Sequence, residues 1–111
     1  MAHRDEQLIS FIKKEIANFL DREVARPQGS FFSVTNVVLA QSGQEARIFI
    51  SIFPDGVAKE VFKTLKSYQK EARVYLAELL TRRKIPYIMF VHDTSQEDRI
   101  RLEKLLDDGS R

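Results

Sequence analysis

Apolar positions along this chain keep two rhythms. Leu8, Ile12, Ile16, Phe19 and Leu20 return every three or four residues, flanked by Ile9 and Phe11. Lys13, Lys14, Asn18 and Asp21 fall largely on the other side. That period predicts an amphipathic helix over residues 5–23. Pro27, Gln28, Gly29 and Ser30 then form a breaker cluster. Residues 31–39 are rich in β-branched and aromatic types and read as a strand, with a bulge expected where alternation slips at Asn36. After the turn Gln41-Ser42-Gly43-Gln44 a second strand places Ala46, Ile48, Ile50 and Ile52 on one face. Arg47, Phe49, Ser51 and Phe53 point to the other. Two such runs around a short glycine-containing loop predict an antiparallel hairpin.

Pro54-Asp55-Gly56 ends the second strand, and Asp55 is placed to cap the next helix. Residues 57–83 hold neither Pro nor Gly, and Ala58, Val61, Phe62, Leu65, Tyr68, Ala72, Tyr75, Leu76, Leu79 and Leu80 keep helical spacing. This is one long helix or two meeting at a kink. Residues 87–92 read as a third strand with Ile88 and Phe90 inward. Ser95 is the expected cap of a short final helix, with Asp98 at its third position. Ile100, Leu102 and Leu105 give that helix a thin apolar side. The order α-β-β-α(α)-β predicts an α+β, two-layer fold, a three-stranded sheet with helices packed on one face.

Composition narrows the options. A chain of 111 residues with 43% hydrophobic content suits one domain with a real core. We expect that domain to span residues 1–111, with an ordered part over about 5–106 and flexible termini. The lack of Cys excludes a disulfide scaffold and a Cys-ligated zinc or iron–sulfur site. No apolar signal core opens the chain, and its apolar runs fall far short of the roughly 20 residues that span a bilayer. A cytoplasmic protein with no membrane partner is the expectation.

Charge matters locally. The formal net charge is only +2. Residues 56–84 hold eight basic side chains against three acidic ones, so that segment carries +5 and the rest −3. Within it Lys59, Lys63, Lys66, Lys70 and Arg73 are spaced 4, 3, 4 and 3 apart, which on a continuous helix puts five cations on one face. Like charges at these spacings cost a few tenths of a kcal/mol each, and phosphate neutralisation relieves them. Arg82, Arg83 and Lys84 extend the cluster, though cations at a helix end also complement its dipole. Arg47 on the second strand either extends the basic face or is simply solvated. The plain alternative for the lysines is a solvated surface helix.

Catalytic signals are weak. His3 and His92 have no second ligand at metal spacing, and no phosphate-binding glycine loop is present. No catalytic residue, metal, cofactor or small-molecule substrate is expected. Phe11, Phe19, Phe62 and Phe90 sit at core spacing, which leaves Phe49 and Phe53 open, with packing favoured over base stacking.

Several segments together resemble the ribosome-binding factor A family. Residues 8–20 match its N-terminal helix. Phe32-Ser33-Val34-Thr35-Asn36-Val37 is similar to its first strand with a V-T-x-V core, and Ala46-Arg47-Ile48-Phe49-Ile50-Ser51-Ile52 to its A-x-V-Y-V-S-V second strand. Pro86-Tyr87-Ile88-Met89-Phe90-Val91-His92-Asp93 is similar to its P-x-L-x-F-x-x-D third strand. Thr94, Ser95, Ile100, Leu105 and Leu106 fit the tail. The match covers about residues 5–106. The resemblance implies a type II KH-like fold, α-β-β-α-kink-α-β, without the G-x-x-G loop that clamps single strands in ordinary KH domains.

The resemblance also implies binding to the 30S subunit and 16S ribosomal RNA during late maturation, including cold-sensitive growth. The family's A-x-G kink maps to Glu71-Ala72-Arg73, where Ala72 is present and the glycine is not. The expectation is therefore a monomeric, non-enzymatic assembly factor. Its RNA contacts would be Lys59, Lys63, Lys66, Lys70, Arg73, Arg82, Arg83, Lys84 and Arg47. The alternatives are a KH-like protein with a non-ribosomal RNA target, and a protein-interaction module whose lysines are only solvated.

Overall fold

A computed structural model describes residues 2–80 and 85–109. The elements run α1 (Ala2–Glu23), β1 (Phe31–Leu39), β2 (Glu45–Phe53), α2 (Asp55–Lys66), α3 (Gln69–Leu79), β3 (Tyr87–His92) and α4 (Ser95–Gly109). The three strands form one sheet in the order β1-β2-β3. β1 pairs antiparallel with β2, and β3 lies parallel to β2. The α2–α3 pair is the crossover that a parallel neighbour requires. This is the expected α+β, type II KH-like arrangement.

The alternation of β2 sets the core. Ala46, Ile48 and Ile50 are fully buried and Ile52 nearly so. In register, Ile48 lies between Val37 of β1 and Phe90 of β3. Ile12, Ile16 and Leu20 of α1, Leu65 of α2, and Ala72 and Leu76 of α3 close over the same face. Tyr75 Oη donates to Glu15 Oε1 at 3.0 Å and its ring packs 5.3 Å from Phe19, tying α3 to α1. The ladder slips between Val34 and Asn36, the bulge expected there. Asn36 Oδ1 accepts the Val37 amide at 2.9 Å. Gly43 takes φ +72° in the hairpin loop, a conformation cheap only without a Cβ.

Four local details differ from expectation. α1 begins at Ala2 rather than near residue 5. The cap of α2 is Pro54, and Asp55 is its first helical residue, where its charge still complements the dipole. α4 is also entered differently: Asp93 Oδ1 accepts the Ser95 amide at 2.9 Å, and Thr94 Oγ1 bonds Asp98 Oδ2 at 3.0 Å. Ser95 is thus inside the helix, which runs 15 residues and is not short.

The fourth difference is the kink. Residues 67–68 break the long helix, not Ala72, which is fully buried within α3. No glycine is needed, because Ser67 and Tyr68 keep negative φ. Ser67 N shares the Lys63 and Thr64 carbonyls, Tyr68 N reaches only Leu65 O, and Ser67 Oγ donates to Thr64 O at 2.6 Å. These tightened bonds end α2 as a 3₁₀ turn. Gln69 opens α3 and accepts the Phe90 amide on its side-chain oxygen at 2.6 Å, fastening the new helix to β3.

Candidate nucleic-acid interface

α2 sorts its residues sharply. Ala58, Val61 and Leu65 are buried against the sheet, and Lys59, Lys63 and Lys66 are exposed. At 100° per residue the three lysines fall within about 60° of arc, opposite the buried stripe. Across the break Lys70 is exposed in the first turn of α3, while Ala72 and Leu76 point inward. None of these four lysines enters an ion pair among the described residues.

Helix electrostatics explains only part of the row. Lys63 and Lys66 stand in the last turn of α2, where a cation favours the dipole. Lys70 stands at the start of α3, where the dipole disfavours it.

The remaining expected contacts separate. Arg73 is half-buried and turned back on the protein. Its Nη2 donates to Ile85 O at 2.9 Å and its Nε to Pro86 O at 3.3 Å. The same guanidinium lies 4.7 Å from the centre of the Tyr87 ring. Arg47 alternates with the buried Ala46 and Ile48, so it lies on the open face of the sheet, away from the helices. Its Nε is 3.0 Å from Glu45 Oε1. Arg82, Arg83 and Lys84 lie outside the described residues. The structure therefore exposes Lys59, Lys63 and Lys66 together on α2 and Lys70 at the start of α3, and places Arg47 on the open side of the sheet.

The open face carries residues that charge counting passes over. Phe31, Phe53 and Tyr87 are 64%, 65% and 68% exposed, and Phe31 and Phe53 are partners in the β1–β2 register. Phe49, by contrast, is half-buried. The alternation of β2 contained the signal for Phe53. Ser33 and Ser51 hydroxyls meet at 3.2 Å beside it. Asp93 accepts from the Thr35 hydroxyl at 2.5 Å and from the Ser95 amide. The Ser95 and Thr35 hydrogen bonds hold its carboxyl below the usual range. The His92 ring stacks on Phe62 at 5.7 Å. Among the described residues no cluster of three or more His, Cys, Asp or Glu could hold a metal, and no helix is long and apolar enough to cross a membrane.

Comparison with known proteins agrees with this architecture. Residues 4–106 match the family model of ribosome-binding factor A. A ribosome-binding factor A of Halothermothrix orenii is 35% identical over 93% of this chain and 85% of that protein. The solution structure of a Thermotoga maritima protein described as a putative ribosome binding factor A shares the fold, with TM-score 0.67 at 22% identity over 81% of this chain and 87% of that one. A Thermus thermophilus ribosome binding factor A, fitted into a cryo-EM map of a 30S complex, superposes with TM-score 0.59 at 17% identity, covering 78% of this chain and 91% of that one.

Proposed function

Because the chain belongs to the ribosome-binding factor A family, we propose that it acts as a non-enzymatic assembly factor. It binds immature 30S subunits through 16S rRNA in the cytoplasm and holds an rRNA conformation while maturation finishes. The whole chain works as one monomeric docking unit. The observation that carries this reading is the set Lys59, Lys63, Lys66 and Lys70, exposed, without ion pairs among the described residues and including a cation at the dipole-disfavoured start of α3. A folded rRNA surface presents phosphates at many points, and a row of cations gains by displacing counterions from them. Arg82, Arg83 and Lys84 would add further phosphate contacts. Arg47 would touch rRNA only where the open sheet face is also engaged.

The absence of G-x-x-G fits this mode. Without a glycine loop the backbone cannot approach a sugar-phosphate strand closely, so helix-face lysines carry the phosphate contacts. The test is co-sedimentation with 30S subunits of the triple variant Lys63→Glu, Lys66→Glu, Lys70→Glu. Binding should fall at least tenfold at moderate salt, since each reversed lysine leaves a phosphate unneutralised and adds a repulsion. Unchanged co-sedimentation would show that the helical face is not the docking surface.

A further inference from the structure

We propose that the open side of the sheet, where β2 runs into α2, holds one unpaired nucleotide of an RNA strand with its base stacked on Phe53. The inference rests on the rRNA-docking reading above and adds a second contact on the other side of the molecule.

Two adjoining cavities carry it. The first, of about 530 Å³, has Phe53 and Pro54 among its walls on one side and Ile100 of α4 on the other. The second, of about 440 Å³, is bordered by Thr35, Ser95 and Arg99. Ser51 and Asp93 line both. A mainly apolar slot with an aromatic wall, with Asp55 at its margin, therefore adjoins through Ser51 and Asp93 a polar slot that sets the Arg99 guanidinium beside the Asp93 carboxylate. A nucleotide has the same two halves, a flat base and an anionic sugar-phosphate. Both volumes fall in the range of small-ligand sites, roughly 300–1,000 Å³. Phe31 stands opposite Phe53 and is as exposed, so a second ring continues the platform toward a neighbouring base.

The polar groups set a preference. Asp93 spends one hydrogen bond on Ser95 N and one on Thr35 Oγ1, and each carboxylate oxygen keeps accepting capacity. Those bonds favour its ionised form, which only accepts. Adenine, cytosine and guanine offer an exocyclic amino group to such an acceptor, whereas unpaired uracil offers only its single N3–H, flanked by two carbonyls that the carboxylate repels, and its one-ring base stacks less on Phe53 than adenine does. Arg99 enters no ion pair among the described residues and is available to a phosphate. A docked apolar helix would instead bury the Arg99 guanidinium while offering it no acceptor, which is costly.

Two single-stranded RNA decamers, all-adenine and all-uracil, test this by fluorescence anisotropy, with chemical-shift mapping of Phe53, Gly56 and Ile100. The adenine decamer should bind more tightly and shift these signals. Phe53→Ala should weaken it about 5- to 100-fold. Phe53→Leu, which keeps apolar bulk without the ring, should weaken it too, and Arg99→Gln should weaken both decamers. Phe53 is exposed, so a thermal melt should show these variants folded. The salt dependence of binding should be unchanged in Phe53→Ala and flattened in Arg99→Gln, while Lys63→Glu, Lys66→Glu, on the other side of the molecule, keeps the adenine preference.

Equal binding of the adenine decamer by wild type and Phe53→Ala overturns the proposal. So does adenosine monophosphate binding as tightly as the decamer, which would make this a free-nucleotide site. Self-association lost in Phe53→Ala with decamer binding intact would assign the face to a second copy of the chain. The docking reading fails separately, if the helix-face variant co-sediments with 30S subunits as wild type does.

Discussion

Arg73 and Lys63 carry the same charge on adjacent helices and do different work. Arg73 donates to the carbonyls of Ile85 and Pro86 and covers the Tyr87 ring. Arg73→Ala leaves those acceptors unpaired and should cost about 1–3 kcal/mol in urea unfolding. Lys63→Ala removes an exposed side chain that makes no ion pair among the described residues and should change stability by less than about 0.5 kcal/mol while weakening RNA binding. Asp93 makes a second residue-scale prediction. Its pKa is lowered in the folded protein, so its stabilisation is present above the ordinary value and is lost as pH falls through the lowered one. Thr35→Val removes one of the two responsible bonds. In a carboxyl-carbon NMR titration the Asp93 midpoint should then move up toward its ordinary value.

At the scale of elements, the turn between α2 and α3 depends on side chains as well as backbone. Gln69 gives the Phe90 amide an acceptor on the outer edge of β3. Gln69→Leu should cost about 1–3 kcal/mol and speed hydrogen exchange at Phe90, with exchange at Ile48 changed only through global stability. The strands and their faces were legible because alternation in β2 and β3 is nearly unbroken. The bulge at Asn36 was legible for the same reason, as a fault in that alternation. The position of the kink was not, because Leu65, Tyr68 and Ala72 keep helical spacing straight through residues 67–68. The break resides in the Ser67 hydroxyl and a shift from i−4 to i−3 bonding, and neither leaves a periodic mark. Lys59, Lys63 and Lys66 share one exposed arc of α2, as the spacing indicated, whereas the break at residues 67–68 puts Lys70 on a second helix, where continuous-helix spacing no longer fixes its direction. Arg73 does not stay with them, since charge spacing says nothing about a guanidinium folding back onto carbonyls twelve and thirteen residues on. Of the open-face aromatics only Phe53 was read as an outward position; Phe31 and Tyr87 were not singled out, and the exposure of all three depends on helices covering only one side.

For the whole molecule, a net charge of +2 conceals a segment of +5. Association with RNA should therefore follow that segment and not the pI. A plot of log affinity against log salt should flatten by roughly 0.7–0.9 for each phosphate-contacting lysine among Lys59, Lys63, Lys66 and Lys70 replaced by Gln. The same replacement at Lys13 should leave the slope unchanged, because α1 lies outside the row.

The hydrogen bonds at the two margins of the sheet have another consequence. A three-stranded sheet has two edges, and each is a template on which a foreign strand can grow. On β3 the Phe90 amide is already taken by Gln69. On β1 the bulge interrupts the ladder, and Asn36 occupies the Val37 amide with its own side chain. Contacts that shape the fold thus also deny other chains an uninterrupted row of donors, guarding against edge-to-edge aggregation while the aromatic face between those margins stays bare.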